Sequence, residues 1–318
     1  MAKTIFILGA GASYPYGFPL GQELVTSIIK SSSYKVDSIG RVNATPDYLG
    51  GLLASGFLKS DIDNFRHYLR ESNPNSIDAY LSENKHFLQI GKSCIAYILL
   101  KHESNFGYIA ARGGDWYNYL GNILTTADPD NFDLKIYSFN YDRSLEYFLK
   151  NKAQSFFYNN MEKQKKFLEK IPIIHLHGSL GDISLFGKDV TIDHFSILNR
   201  VASNIKIISE VESDKNFEDL QLDIKMAKNV IFLGFGFHPL NMKRIGLATL
   251  RLLGKQPKFF ASSIGLEEME INTNFRNYIT ELFTYNRESY LSKDHIHWLN
   301  AENLMFLRKM IDTRDYFI

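Results

Sequence analysis

The chain has 318 residues, 45% of them hydrophobic, and balances 36 Lys+Arg against 35 Asp+Glu, which suits a globular unit with a sizeable core and leaves no field of one sign to draw in nucleic acid or an anionic membrane. Its one cysteine, Cys94, excludes an internal disulfide and every zinc site built from several cysteines. No run approaches the roughly 18 apolar residues of a membrane helix and no basic-then-apolar leader precedes the first strand, so a cytoplasmic protein is expected.

Thr4–Leu8 is a β-branched and aromatic run of the kind that forms a buried parallel strand. Gly9-Ala-Gly-Ala-Ser13 follows, and its two glycines let the backbone turn sharply. A helix after that turn would aim its N–H groups and positive dipole end at an anionic group such as a pyrophosphate. The fingerprint G-x-G-x-x-G wants a third glycine where this chain has Tyr14, so the turn alone also fits a tight connection that binds nothing. Pro15-Tyr-Gly-Phe-Pro-Leu20 is a loop stiffened by two prolines, either a cover over a ligand or a plain connector. Helical spacing resumes over 21–29, and residues 31–60, rich in Ser, Gly and Asn, read as loop with short helical pieces.

From Asp61 to about Ala127 apolar residues recur at helical spacing, among them Ile62, Phe65 and Leu69, then Ile77 and Leu81, then Trp116, Leu120 and Leu124. This stretch reads as a helical insertion packed beside a sheet, broken at Gly113-Gly114, its aromatic residues serving as core. Strand character returns at Leu134–Phe139, which ends in Asn140-Tyr-Asp142 and a short helix from Arg143. Ile171–His177 ends at Gly178-Ser179, Asn229–Leu233 at Gly234-Phe-Gly236, and Lys258–Ser262 at Ser263. A helical run covers 241–253, the charged stretch Met161–Lys170 reads as a solvated helix, and the tail from Asn272 to Ile318 as mixed helix. Strands alternating with helices imply an α/β fold, a Rossmann-like parallel sheet flanked by helices in one domain over 1–318. Such sheets bind ligands at the carboxyl ends of their strands, near a switch in strand order, so Gly9, Asn140, His177 and Gly234 should converge on one crevice.

Three of these strand ends together resemble the hallmark motifs of the sirtuin superfamily, in the right order: Gly9-Ala-Gly-Ala-Ser13, Ser138-Phe-Asn-Tyr-Asp142 and His175-Leu-His-Gly178. The chain is most similar to the sirtuin-like domains of bacterial anti-phage systems, which consume NAD. In those domains Asn-Tyr-Asp replaces the Asn-Ile-Asp of protein deacylases, and a Ser-Ile-Asp segment, here Ser76-Ile-Asp78, often lies in the helical part. The resemblance spans residues 4 to 262 and leaves the remainder unplaced. The cysteine-rich zinc ribbon of ordinary sirtuins cannot be built here. Pro19 leads into Leu20-Gly-Gln where deacylases have Pro-Asp-Phe-Arg, and Gly234-Phe-Gly236 stands where they have Gly-Thr-Ser. These departures argue against deacylation and leave the NAD-handling residues in place.

The resemblance therefore implies an NAD glycohydrolase, an effector of a bacterial anti-phage defence system that converts NAD, as substrate, to ADP-ribose and nicotinamide without a metal. NAD carries nicotinamide as a cationic leaving group, so the site has to orient the ribose, hold the carboxamide and manage the proton of a nucleophile at C1′. The implied roles are Asn140 for the ribose and attacking water, Asp142 for the carboxamide, and His177 as general base, a task that suits a neutral imidazole. Gly9, Ala10, Gly11, Ser13, Gly178, Gly234 and Gly236 would bind the dinucleotide. Taken singly, Asn140 reads as a cap or turn residue, Asp142 as a helix N-cap, and His175 as a hydrogen-bonded core residue. The two histidines alternate along a strand, which leaves open which of them faces the site. His295 and His297 would share a strand face but have no evident third metal ligand, and read as a surface or structural pair. Because unchecked NAD loss would kill the host, control by a protein partner, a homo-oligomer or a bound signal is expected, the chain being too short for a separate sensor domain. No direct nucleic-acid or membrane contact is expected. A non-catalytic sensor of NAD or ADP-ribose is the alternative.

Overall fold

The computed structural model describes residues 4–30, 35–36, 42–43, 48–106, 115–188, 195–210, 215–246, 257–276 and 295–310. β1 (Thr4–Leu8) runs into the single-turn α1 (Ala10–Ser13), and α2 (Gly21–Lys30) follows. A short antiparallel pair, β2 (Lys35–Val36) and β3 (Val42–Asn43), precedes α3 (Tyr48–Ala54), α4 (Lys59–Ser72), α5 (Ile77–Glu83), α6 (Leu88–Ser104) and α7 (Trp116–Thr126). Next come β4 (Leu134–Ser138), α8 (Ser144–Phe156), α9 (Met161–Glu169), β5 (Ile173–His175), α10 (Phe195–Asn204) and α11 (Lys215–Met226). β6 (Asn229–Leu233), α12 (Pro239–Ile245), β7 (Lys258–Ser262), α13 (Glu268–Ile271), β8 (Ile296–Leu299) and a helix over Asn303–Met310 follow.

The main sheet has the order β5-β4-β1-β6-β7-β8 and every pairing in it is parallel. Counted along the chain within that sheet, the order is 3-2-1-4-5-6, the doubly wound Rossmann arrangement, and the winding reverses between β1 and β6. β1 is buried along its whole length: Phe6 and Leu8 join the core layer on one face, Ile5 and Ile7 the layer on the other. Burial on both faces explains why these strands read as unbroken apolar runs. The first layer takes Leu24 from α2, Phe65 and Leu69 from α4, Ile95 from α6, Leu120 from α7 and Val201 from α10. The second takes Phe217, Leu220 and Ile224 from α11 with Met242 and Ile245 from α12. The expected helical insertion thus forms much of one covering layer.

β1, β6 and β7 have the expected bounds. β4 stops one residue short of Phe139, and the expected strand 171–177 contracts to Ile173–His175. Pro172 cannot donate to a ladder, although its carbonyl still accepts the Ile136 N–H at 3.0 Å. The reading of the tail as mixed helix is corrected by β8, whose Ile296–Leu299 pairs with β7 and is half-buried throughout. A four-residue, half-buried edge strand carries neither a long apolar run nor a strong alternation. The β2–β3 pair likewise has no counterpart among the elements expected over residues 31–60. The expected break at Gly113-Gly114 and the end of the run 241–253 lie outside the described residues. Among those described, no helix is long and apolar enough to cross a membrane.

Candidate active site

Where the winding reverses, the ends of β1 and β6 interlock. Gly9 donates its N–H to Leu233 O at 3.1 Å, and Gly11 donates to Gly234 O at 2.9 Å. A Cβ on Gly9 would lie 2.6 Å from Gly234 O, and one on Gly234 would lie 2.0 Å from Ala12 N. Gly234 is also left-handed, with φ +56°. The glycines therefore answer to the close packing of two turns before any ligand is considered. The helix expected to present its N-terminus is a single turn, and a 3-10 turn over Tyr14–Tyr16 follows it. The N–H of Ala12 bonds to Gly9 O at 2.8 Å, so this donor and that of Gly11 are engaged inside the fold.

Asn140 follows β4 and joins it to this turn. Its Nδ2 donates to Gly9 O at 2.9 Å and to Ser13 Oγ at 3.0 Å, which uses both amide hydrogens and leaves Oδ1 as the group able to accept from a ligand. Ser13 is hydrogen-bonded to Asp142, whose Oδ1 also takes the Ser144 N–H at 3.1 Å and the Ser144 hydroxyl. Tyr117 meets Ser144 Oγ at 2.7 Å. Asp142 is not the N-cap of α8, a place held by Arg143; it closes an Asx-type turn two residues ahead. Burial pushes the Asp142 carboxyl up, against the pull of its bonds from Ser144 and Ser13.

The surrounding helices fix this loop from behind. Arg143 donates from its backbone N and its Nε to Glu103 Oε1, each at 3.1 Å, and a further guanidinium nitrogen reaches Glu103 Oε2. Trp116, at the start of α7, donates Nε1–H to Ala12 O at 2.8 Å. The Tyr16 and Tyr117 rings stack with centroids 3.7 Å apart, and the Tyr16 hydroxyl accepts the Tyr117 N–H at 2.7 Å. The insertion thus clamps the turn that carries Gly9 to Ser13.

A cavity of about 200 Å³ opens at the carboxyl ends of β1, β4 and β6. Of the residues expected at a site, Gly9, Ala10, Asn140, Asp142 and Gly236 line it; Gly11, Ser13, His177, Gly178 and Gly234 do not. Phe18 and Pro19 also line it, so the proline loop is a wall of the cavity. Asp78, Tyr141, His238 and Asn241 complete its polar surface, and among the described residues no Lys or Arg lines it. Asp78 accepts the Tyr141 hydroxyl, and burial raises its pKa to about 6.

His177 is 3% exposed and sits one layer back, its ring centroid 5.3 Å from that of Phe139 and 6.4 Å from that of Tyr141, both cavity residues. Its Nδ1 faces Lys206 O at 3.3 Å, which places the proton on Nδ1 and the basic lone pair on Nε2. Gly178 has φ +71°, and a Cβ there would lie 1.9 Å from Asn204 O, so this glycine seats the turn against the end of α10. His175, the last residue of β5, faces elsewhere: Nδ1 bonds to Asn140 O at 2.6 Å and Nε2 pairs with Glu146. Burial works to lower the His175 pKa, but Glu146, the Asn140 carbonyl and Asp142 together outweigh it and the net direction is up. Alternation fails to put both histidines on one face because the strand ends at His175.

His238 and Asn241 are missed by sequence reasoning, and Tyr141 and Asp78 enter it only as members of motifs. The available signal was position: His238 and Asn241 directly follow the glycine end of β6. His297 stacks on Phe260, centroids 5.0 Å apart, and among the described residues no group of three or more His, Cys, Asp or Glu is placed to hold a metal ion. In comparison with known proteins, no protein-family model and no curated protein matches the chain.

Proposed function

We propose that the protein is an NAD glycohydrolase and that the cavity encloses the nicotinamide riboside half of NAD. The observation that carries this reading is the lining of the cavity: an amide fixed by two hydrogen bonds at Asn140, two carboxyl groups at Asp78 and Asp142, and no Lys or Arg among the described residues. Loss of nicotinamide leaves positive charge on the ribose, and carboxylates in a confined space stabilise such charge where a phosphate would be repelled. Its volume of about 200 Å³ is below the roughly 300–1,000 Å³ of small-molecule pockets, which fits half a dinucleotide with the diphosphate toward the mouth. Asn140 Oδ1 would orient the ribose and water, and Asp142 the carboxamide, in keeping with the sirtuin-like motifs.

Gating fits the same geometry. The base of the mechanism, His177, stands behind Phe139 and Tyr141, so a partner, self-association or a bound signal would have to move those rings to admit it. A role as an anti-phage effector rests on the motif resemblance and follows from gated NAD loss. The withdrawn position of His177 also favours the second reading, a sensor that binds NAD or ADP-ribose without cleaving it. Incubating the protein with NAD, with and without the products of neighbouring genes, and following nicotinamide and ADP-ribose separates the two. Stoichiometric formation of both products supports hydrolysis; binding with no turnover under any condition supports the sensor.

A further inference from the structure

The segment after β6 contains two features that the fold alone does not explain. Phe237 is a non-glycine residue at φ +49°, an outlier for a bulky side chain. Its ring is buried among Phe232, Phe235 and Phe275, with centroids 5.4, 5.3 and 4.8 Å away, and this packing holds the strained backbone. The next residue is His238, the N-cap of α12, and Asn241 lies three positions on in the first turn of that helix. Both line the cavity. His238 Nδ1 and Asn241 Oδ1 are buried and have no hydrogen-bond partner among the described residues. His238 is the N-cap residue of α12, yet its side chain makes no capping bond.

Two covered, unpaired polar atoms on neighbouring residues of a cavity wall are unfavourable unless a small side-chain turn lets something bound in the cavity pair with them. Asn241 Oδ1 only accepts, so its partner must bring an O–H or N–H. Burial lowers the His238 pKa, so the ring is neutral near pH 7 and gives or takes one hydrogen bond at Nδ1. A phosphate oxygen offers no donor to Asn241 and finds no cation in a neutral histidine. A vicinal diol satisfies both atoms, since each hydroxyl donates and accepts.

We infer that His238 and Asn241 form a reading pair for the two hydroxyls of the ribose held in the cavity, and so select a ribosyl ligand over its deoxy counterpart. This rests on the reading of the cavity as the nicotinamide riboside site. The pair is opposed to Asn140 and the carboxyl groups in chemistry: it is uncharged and holds the sugar without taking part in bond cleavage.

The test uses carba-NAD, whose carbocyclic nicotinamide ribose keeps both hydroxyls and resists cleavage, with its 2′-deoxy and 3′-deoxy forms. Affinities are measured by calorimetry on the wild type, His238→Phe and Asn241→Leu. We expect about tenfold weaker binding of carba-NAD by each variant, matching one lost neutral hydrogen bond. Each variant should also lose the discrimination against one deoxy form that the wild type shows. Both variants should melt at or above the wild-type temperature, because an unpaired buried polar atom has been removed. Variants that bind carba-NAD like the wild type, or that keep full discrimination against both deoxy forms, overturn the inference while leaving the NAD reading intact. A wild type that binds neither NAD nor carba-NAD overturns both.

Discussion

Asn303 donates Nδ2–H to the carbonyl of Gly11 at 3.0 Å, across 292 positions of sequence. Its Oδ1 accepts the Ser262 hydroxyl at 2.9 Å, and Ser262 Oγ accepts the Gly234 N–H at 2.9 Å. The ends of β1, β6 and β7 are therefore tied by one amide from the last described helix. Asn303→Leu leaves the Gly11 carbonyl and the Ser262 hydroxyl short of partners in a buried place, and should cost about 1–3 kcal/mol. Urea unfolding should show a lower midpoint with an unchanged slope.

Gly234 and Gly236 should differ sharply. Gly234→Ala combines a left-handed backbone with a Cβ 2.0 Å from the Ala12 nitrogen, a collision between two backbones. The strain alone is of order 1–3 kcal/mol, and the overlap adds to it, so little folded protein is expected. Gly236→Ala meets nothing within 4 Å and should melt within a degree or two of the wild type. Thermal melts of the two variants decide this without any ligand.

The buried pair of Arg143 and Glu103 fixes the loop that carries Asn140 and Asp142. Glu103→Ala leaves a buried guanidinium uncompensated and should cost about 3–5 kcal/mol, whereas Glu103→Ala with Arg143→Met should recover part of that loss. Chemical denaturation of the single and double variants measures the difference.

Asp78 gives a pH signature. Its pKa rises from 3.8 unfolded to about 6 folded, so between about pH 4 and 6 the folded state binds more protons than the unfolded one. Stability conferred by the neutral carboxyl is present at low pH and falls as pH rises through about 6. Asp78→Asn cannot ionise and keeps an acceptor for Tyr141. Going from pH 4 to pH 7, the wild type should lose about 2 kcal/mol relative to the variant, as paired denaturation curves would show. With the Asp78 carboxylate stabilising the ribosyl cation, NAD cleavage should rise with pH through this window more steeply in the wild type than in Asp78→Asn, where only the base contributes.

Much of this site is legible in the sequence, for definite reasons. Strands buried on both faces, such as Thr4–Leu8 and Asn229–Leu233, announce themselves as apolar runs ending in glycine, and parallel order brings those ends together. Asn140 was legible because it follows such a run. Depth below the cavity was not legible. Ser13, Gly11 and Gly234 share their motifs with cavity residues, yet they serve backbone packing and a buried hydrogen-bond network. His177 lies in a turn whose direction is set by Gly178 and by the Lys206 backbone, contacts remote in sequence. Asp78, His238 and Asn241 reach the cavity from a helical insertion, a post-strand turn and α12, and only tertiary packing unites them.

The central claim is that Asn140 orients a ribose whose bond to nicotinamide is broken by water. Nicotinamide release from NAD should be compared for the wild type and for Asn140→Ala, each verified to melt cooperatively, under the condition that gives the wild type its highest rate. The account predicts release by the wild type and a drop of roughly 10²-fold or more in the variant. Equal release by the two proteins would contradict it.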